Sequence, residues 1–434
     1  MFPVKWPKRP AALPRMTAAA LLVVALVLTI APVRGAEAVT PDDTARFLAG
    51  LPPASDSPLA ALANDARWQR HARYFDSLFE REDANSLSKV RAFAQEHLTE
   101  KHDTMLYMFS GPDFLYATSF FPNASTYVLA GLEPAGDVSQ LTALPRPTLD
   151  YTLQNIESSI GTLMNYSFFI THNMRTQLSS GPIYGTLPIL YVFLARTGKT
   201  IHDVTFVDLD SDGNIQTWNE SASKRSNSAA SGVRIVFSAG NGPWQTLYYF
   251  STNLADGGVT RSGFLTFCGK LGTADSFIKS ASYLLHSGGF NKVRDFLLEH
   301  SATILQDDSG IPVVYFDPKK WRLQPFGHYV APLSIFAHAY QPRMAELFRK
   351  AAPIDFGLGY RWRQNESNLL LAQKIATETT ESGLSPRYSP EPDNQVETKE
   401  INPKPRPPNK RRINGDSNTW GSWQRWPGPA RTGQ

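Results

Sequence analysis

The sequence predicts an α+β protein, in which a mixed or antiparallel sheet with β-hairpins is covered by several helices. Three observations predict it. Residues 200–218 and 232–254 each read strand–turn–strand, around an Asp-Gly and an Asn-Gly turn. Apolar stretches with helical spacing lie on both sides of these hairpins. With 42% hydrophobic and 12% aromatic residues in a chain of 434, there is enough apolar material for a large core.

The chain opens with Lys5, Lys8, Arg9 and Arg15 ahead of the apolar run 17–33, followed by Ala36 and Ala38. This is the pattern of a Sec signal peptide cleaved after Ala38, so export to the periplasm or the exterior is expected. With that segment removed, no transmembrane span is expected, because Gly, Pro, His and Arg interrupt the later apolar runs. Export would permit disulfides, but the single cysteine, Cys268, cannot form an internal one. It reads as a small buried hydrophobe in an apolar strand.

The body, residues 39–375, is expected as one domain, or as two remodelled halves near 39–200 and 201–375. Helices are expected at 66–82 and 84–98, and strands at 104–111 and 125–134 with a Pro112-Asp113 helix start between them. Helical pattern fills 145–196 before the two hairpins. Further helices are expected over 273–288 and 289–306, then a strand at 311–318. The decapeptide SKVRAFAQEH at 88–97 returns as NKVRDFLLEH at 291–300, each with an apolar stripe ending in His97 or His300. A remote duplication of a helix–helix–strand unit would explain this, and so would helical patterning alone.

From residue 376 the chain turns to proline, charge and small polar residues, the composition of a disordered tail. Of the 43 basic and 39 acidic residues, five and one fall in 1–38, and eight and two in 399–434. That leaves 30 basic against 36 acidic residues between them, an acidic body with a basic tail. In the tail, Trp420, Trp423 and Trp426 recur every third residue beside Arg425, downstream of Arg411 and Arg412. In polyproline II that period aligns the rings on one face, suited to an anionic envelope surface or a polysaccharide. An exported chain is not expected to meet nucleic acid.

Motifs that carry chemistry are sparse. Asp208, Asp210, Asp212 and Asn214 stand at the alternate positions of a calcium loop, but the twelfth position is Asn219 rather than a glutamate. The same residues make an ordinary hairpin turn, so the only cofactor in view is weakly bound calcium. Ser276 and Lys279 show an S-x-x-K spacing without the segments that accompany it in acyl-transfer enzymes. G-x-S-x-G, H-E-x-x-H, phosphate-loop and C-x-x-C patterns are absent. Turns after apolar strands often frame pockets, which selects Asp113, Asp307, Asp308 and Tyr315. Taken together, the residues point first to a noncatalytic envelope-associated binding or accessory protein, and second to a periplasmic hydrolase with a carboxylate-based site.

Overall fold

A computed structural model describes residues 39–138, 141–166, 183–218 and 229–375. The signal segment and the tail, with Arg411, Arg412, Trp420, Trp423, Arg425 and Trp426, lie outside the described residues. The fold is α+β, with one ten-stranded mixed sheet and helices on both faces.

The amino-terminal helices begin where the sequence supplies caps. Thr40 caps α1 (Pro41–Leu48), with Pro41 in the first turn, and Asp65 caps α2 (Ala66–Glu82) by accepting from the Arg67 N–H. A π-helical turn, Asp83–Leu87, joins α2 to α3 (Ser88–His97). Strand β1 (Thr104–Tyr107) follows, then α4 (Phe114–Phe120), β2 (Thr126–Gly131) and a two-residue strand β3 (Asp137–Val138). Helix α5 (Arg146–Tyr166), the short β4 (Ile183–Tyr184) and α6 (Leu187–Arg196) lead to two antiparallel hairpins, β5 (Lys199–Leu209) with β6 (Ile215–Trp218) and β7 (Ala230–Ala239) with β8 (Trp244–Thr252), joined through β5 and β7. Helix α7 (Phe264–Lys270), β9 (Ala274–Ile278), α8 (Asn291–His300), β10 (Ser301–Gln306), β11 (Trp321–Gly327), α9 (Pro342–Leu347) and β12 (Asn368–Lys374) complete the body.

The sheet order is β11-β12-β10-β9-β1-β2-β8-β7-β5-β6. Its centre, β8-β2-β1-β9-β10, is parallel, while β7, β5 and β6 on one side and β12 and β11 on the other add antiparallel flanks. The chain winds outward from β1 to β2 and β8, then crosses back to lay β9 and β10 on the other side of β1. The order therefore reverses between β1 and β9. In open sheets of this kind, ligands collect outside the carboxyl ends of the strands at such a reversal.

Side chains of the central strands enter two cores. Met105, Tyr107, Tyr127, Leu129 and Phe277 pack under α1 to α6, and Leu106, Val128, Ala130, Ile278 and Ile304 pack under α7 and α8. Burial on both faces is why these strands read as unbroken apolar runs, the mark of a parallel sheet.

Several expectations need correction. Residues 274–278 form a strand, not a helix, and 284–286 are one 3₁₀ turn. The strand expected at 311–318 instead forms at 301–306, directly after α8, and Val313–Tyr315 is a 3₁₀ turn. Cys268 is buried, but in α7, where burial pushes its thiol well up and leaves it inert. Both copies of the decapeptide are helices feeding a parallel strand of the sheet, α3 into β1 and α8 into β10. His97 packs on Phe93 with ring centres 4.6 Å apart, and His300 on Phe296 at 4.1 Å. The two copies pack into different cores, α3 with Val90, Phe93 and Ala94 on one face of the sheet and α8 with Val293, Phe296 and Leu297 on the other.

Candidate functional site

The reversal point carries the densest group of buried ionisable side chains. β1 ends in a turn through Phe109 and Gly111, both at positive φ, and Asp113 then caps α4 by accepting from the Tyr116 N–H at 3.2 Å. The same carboxylate accepts from the Tyr107 hydroxyl at 2.9 Å and lies 2.7 Å from the Lys279 ammonium, which arrives from the end of β9. Both side chains of that ion pair are 2% exposed. Lys279 also sits 3.7 Å from the centre of the Tyr116 ring. Burial lowers its pKa, and the charge of Asp113 opposes the shift.

A second half is built at the end of β10. Asp307 accepts from the backbone N–H groups of Ser280 and Ser309, at 2.8 and 3.0 Å, and from the Ser309 hydroxyl. Asp308 accepts from the Tyr283 hydroxyl at 2.6 Å and the Asn368 amide at 3.3 Å. Burial, then the charge of Asp308, pushes Asp307 up to about 7, and burial also raises Asp308. Tyr283, Phe336 and Tyr360 roof these carboxylates, with Tyr283 and Tyr360 stacked at 6.2 Å. Gly359, at φ +65°, passes so close that a Cβ there would stand 2.1 Å from an Asp307 oxygen. Only glycine fits this approach.

Strain and unmet polar atoms concentrate here. Among the described residues, the non-glycine positions at positive φ are Phe109, Ser280, Ser282 and Tyr283, all just past the carboxyl ends of β1 and β9. Among the described residues, Ser280 Oγ, His286 Nε2 and Asn368 Oδ1 are buried here without a hydrogen-bond partner. Burial pushes His286 down to about 4.

The sequence candidates divide accordingly. Asp113, Asp307 and Asp308 are brought to one end of the sheet, past the ends of β1 and β10, which flank β9. Tyr315 is not: it is 44% exposed and lies under the Arg294 guanidinium. Asp208, Asp210, Asp212 and Asn214 form a hairpin turn and no set of three or more carboxylate, His or Cys ligands among the described residues. Asp210 Oδ1 accepts from the Asp212 and Asn214 backbone N–H groups, and Lys270 Nζ donates to Asn214 Oδ1 at 2.7 Å, putting an ammonium where a cation would sit. Ser276 and Lys279 fall on opposite sides of a strand rather than one helical turn apart, and Ser276 bonds Ser301 at 2.7 Å. Lys279 was considered from sequence only as the end of an S-x-x-K spacing, and Tyr107, Tyr283, Tyr360 and Glu82 were not selected. A lysine closing the apolar run SFIK was the available signal.

Two open cavities lie elsewhere. One, about 570 Å³, surrounds His71 and Glu157 between α2 and α5, where both His71 ring nitrogens already have partners. The other, about 470 Å³, holds the His102–Asp275 pair at the amino ends of β1 and β9. Ser119, the hydroxyl lining it from α4, donates to the Leu115 carbonyl at 2.7 Å. Neither cavity collects the unmet polar atoms.

Glu82, at the end of α2, accepts from the Tyr116 hydroxyl at 3.2 Å and is pushed up to about 7 by burial. Its folded pKa lies above its unfolded one, so its contribution is complete at low pH and falls as pH rises from about 4.5 to about 7. Relative to Glu82→Gln, the wild-type protein should lose about 1–2 kcal/mol between pH 5 and pH 7. Urea unfolding of both proteins at the two pH values measures this, and a constant difference would count against the shift.

No family model, curated protein or solved structure matches this chain.

Proposed function

We propose that the protein is a hydrolase whose acid–base site is the Asp307–Asp308 pair with Lys279, Asp113 and Tyr283. The observation that carries this reading is the gathering of unmet polar atoms and shifted carboxyls at the strand-order reversal. Two adjacent carboxyls in a buried site do not both ionise freely, so near neutral pH one holds a proton while the other stays charged. The protonated member can then serve a leaving group and the ionised member a water. Asp307 is the member held near 7, and Tyr283 donates to the other. Entry requires the roof of Tyr283, Phe336 and Tyr360 to lift, as a lid does. Val330, Ile335, Tyr340 and Trp362, all large and more than two-fifths exposed, lie on the same segments as the roof.

A phosphate-binding role is less well supported, because the first strand–helix turn opens on a seven-residue helix already capped by the Asp113 carboxylate. The envelope-binding reading rests on tail residues outside the described ones. The test is turnover of chromogenic esters, glycosides, phosphoesters and peptides between pH 5 and 8, with the wild-type chain and Asp307→Asn. The expected result is at least one substrate turned over by wild type and slowed 100-fold or more in the variant. Equal rates, or no turnover by wild type, would reject it.

A further inference from the structure

The cavity at the amino ends of β1 and β9 lies at the opposite end of the sheet from Asp307 and Asp308. Its volume of about 470 Å³ is within the range of pockets that take small ligands. Asp275 stands in β9 between Met105 of β1 and Thr303 of β10, so the sheet holds its carboxylate in place. That carboxylate is buried and meets His102 Nδ1 at 2.8 Å. An ionised carboxylate only accepts, so the hydrogen of the neutral ring sits on Nδ1 and Nε2 keeps its lone pair. The ring lines the cavity, and among the described residues no group bonds Nε2.

The rest of the wall is apolar or already engaged. Leu98, Phe120, Phe121 and Pro122 supply aliphatic and aromatic surface, and the Ser119 hydroxyl is taken up by the Leu115 carbonyl. Arg91 is paired with Asp83 at 2.8 Å, and Glu100 and Lys101 set opposite charges side by side at the exposed rim. Neither an anion nor a cation finds an unopposed counter-charge here.

We infer that this cavity binds an uncharged apolar molecule, of which a phenol is the simplest form, through one hydroxyl donated to His102 Nε2. The carboxylate behind Nδ1 strengthens Nε2 as an acceptor, and an acidic O–H is the donor that suits it. The ring of the ligand meets Phe120 and Phe121, where aromatic contacts add to the area buried. Water would satisfy Nε2 but leave the apolar wall wet, so its displacement is favourable. The site is separate from the acid–base site proposed above and stands or falls without it.

Titration of the wild-type chain with para-propylphenol and para-propylanisole, followed by NMR of the histidine ring nitrogens, tests it. The phenol should bind saturably, about fivefold or more tighter than the ether, and should shift the His102 Nε2 resonance. In His102→Phe the two should bind alike. The comparison of phenol with ether uses wild-type protein, so it stands even if the variant misfolds. para-Propylbenzoate and para-propylbenzylammonium should each bind about fivefold or more weaker than the phenol. No binding of the phenol, equal binding of phenol and ether, an unmoved Nε2 resonance, or an ion bound as tightly as the phenol would overturn the inference.

Discussion

Replacing Lys279 with methionine is expected to cost about 3–5 kcal/mol of folding stability. The substitution removes the cation facing Asp113 at 2.7 Å and leaves a carboxylate that is 2% exposed without its counter-charge. It also removes the charge over the Tyr116 ring. Lys279→Met combined with Asp113→Asn should recover most of the loss, since the amide oxygen can still accept from the Tyr116 N–H while its NH₂ donates to the Tyr107 hydroxyl oxygen. Urea midpoints at unchanged m-value measure both effects. A single-variant loss under about 1 kcal/mol would mean that Asp113 is better hydrated or better bonded than its burial implies.

The second large effect is expected at Phe277, whose ring lies 4.6 Å from Tyr107, 4.9 Å from Phe120 and 6.5 Å from Phe121. It is fully buried between the sheet and α4. Phe277→Ala should cost about 3–5 kcal/mol, the transfer term plus a cavity that the rigid sheet cannot collapse. Leu at the same position should lose clearly less. Equal losses for the two variants would argue that the aromatic contacts, rather than filled volume, hold β9 in place. Because Phe277 lies two residues before Lys279, Phe277→Ala should also loosen the ion pair.

The sequence made the hairpins legible because Asp-Gly and Asn-Gly turns and alternating Ile235 and Phe237 are local signals. It made the α+β class legible for the same reason. The parallel centre was hidden: MLYM and YVLA are buried on both faces, so no alternation marks them. ADSFI gave no strand signal because the buried Asp275 and Ser276 break any alternating or continuous apolar run. At the site, Asp113, Asp307 and Asp308 were visible as turn residues after apolar segments. Lys279 was visible only as the end of an S-x-x-K spacing, because its role is set by Asp113, which faces it from the turn after the neighbouring strand.

The place of β1 in the sheet also governs how the molecule can assemble. Its neighbour on one side, β2, follows closely in the chain, but its neighbour on the other, β9, arrives only after both antiparallel hairpins, with Leu106 paired beside Ser276. Pairings that distant form late, since the entropy of closing so long a loop must be met before the contact stabilises anything. Until then β1 presents an open strand edge whose Met105, Leu106 and Tyr107 are apolar, the kind of surface through which nascent chains join one another. The two antiparallel hairpins can form from local contacts alone, so the β1 edge is covered late, and covering it is the event that brings Lys279 to Asp113.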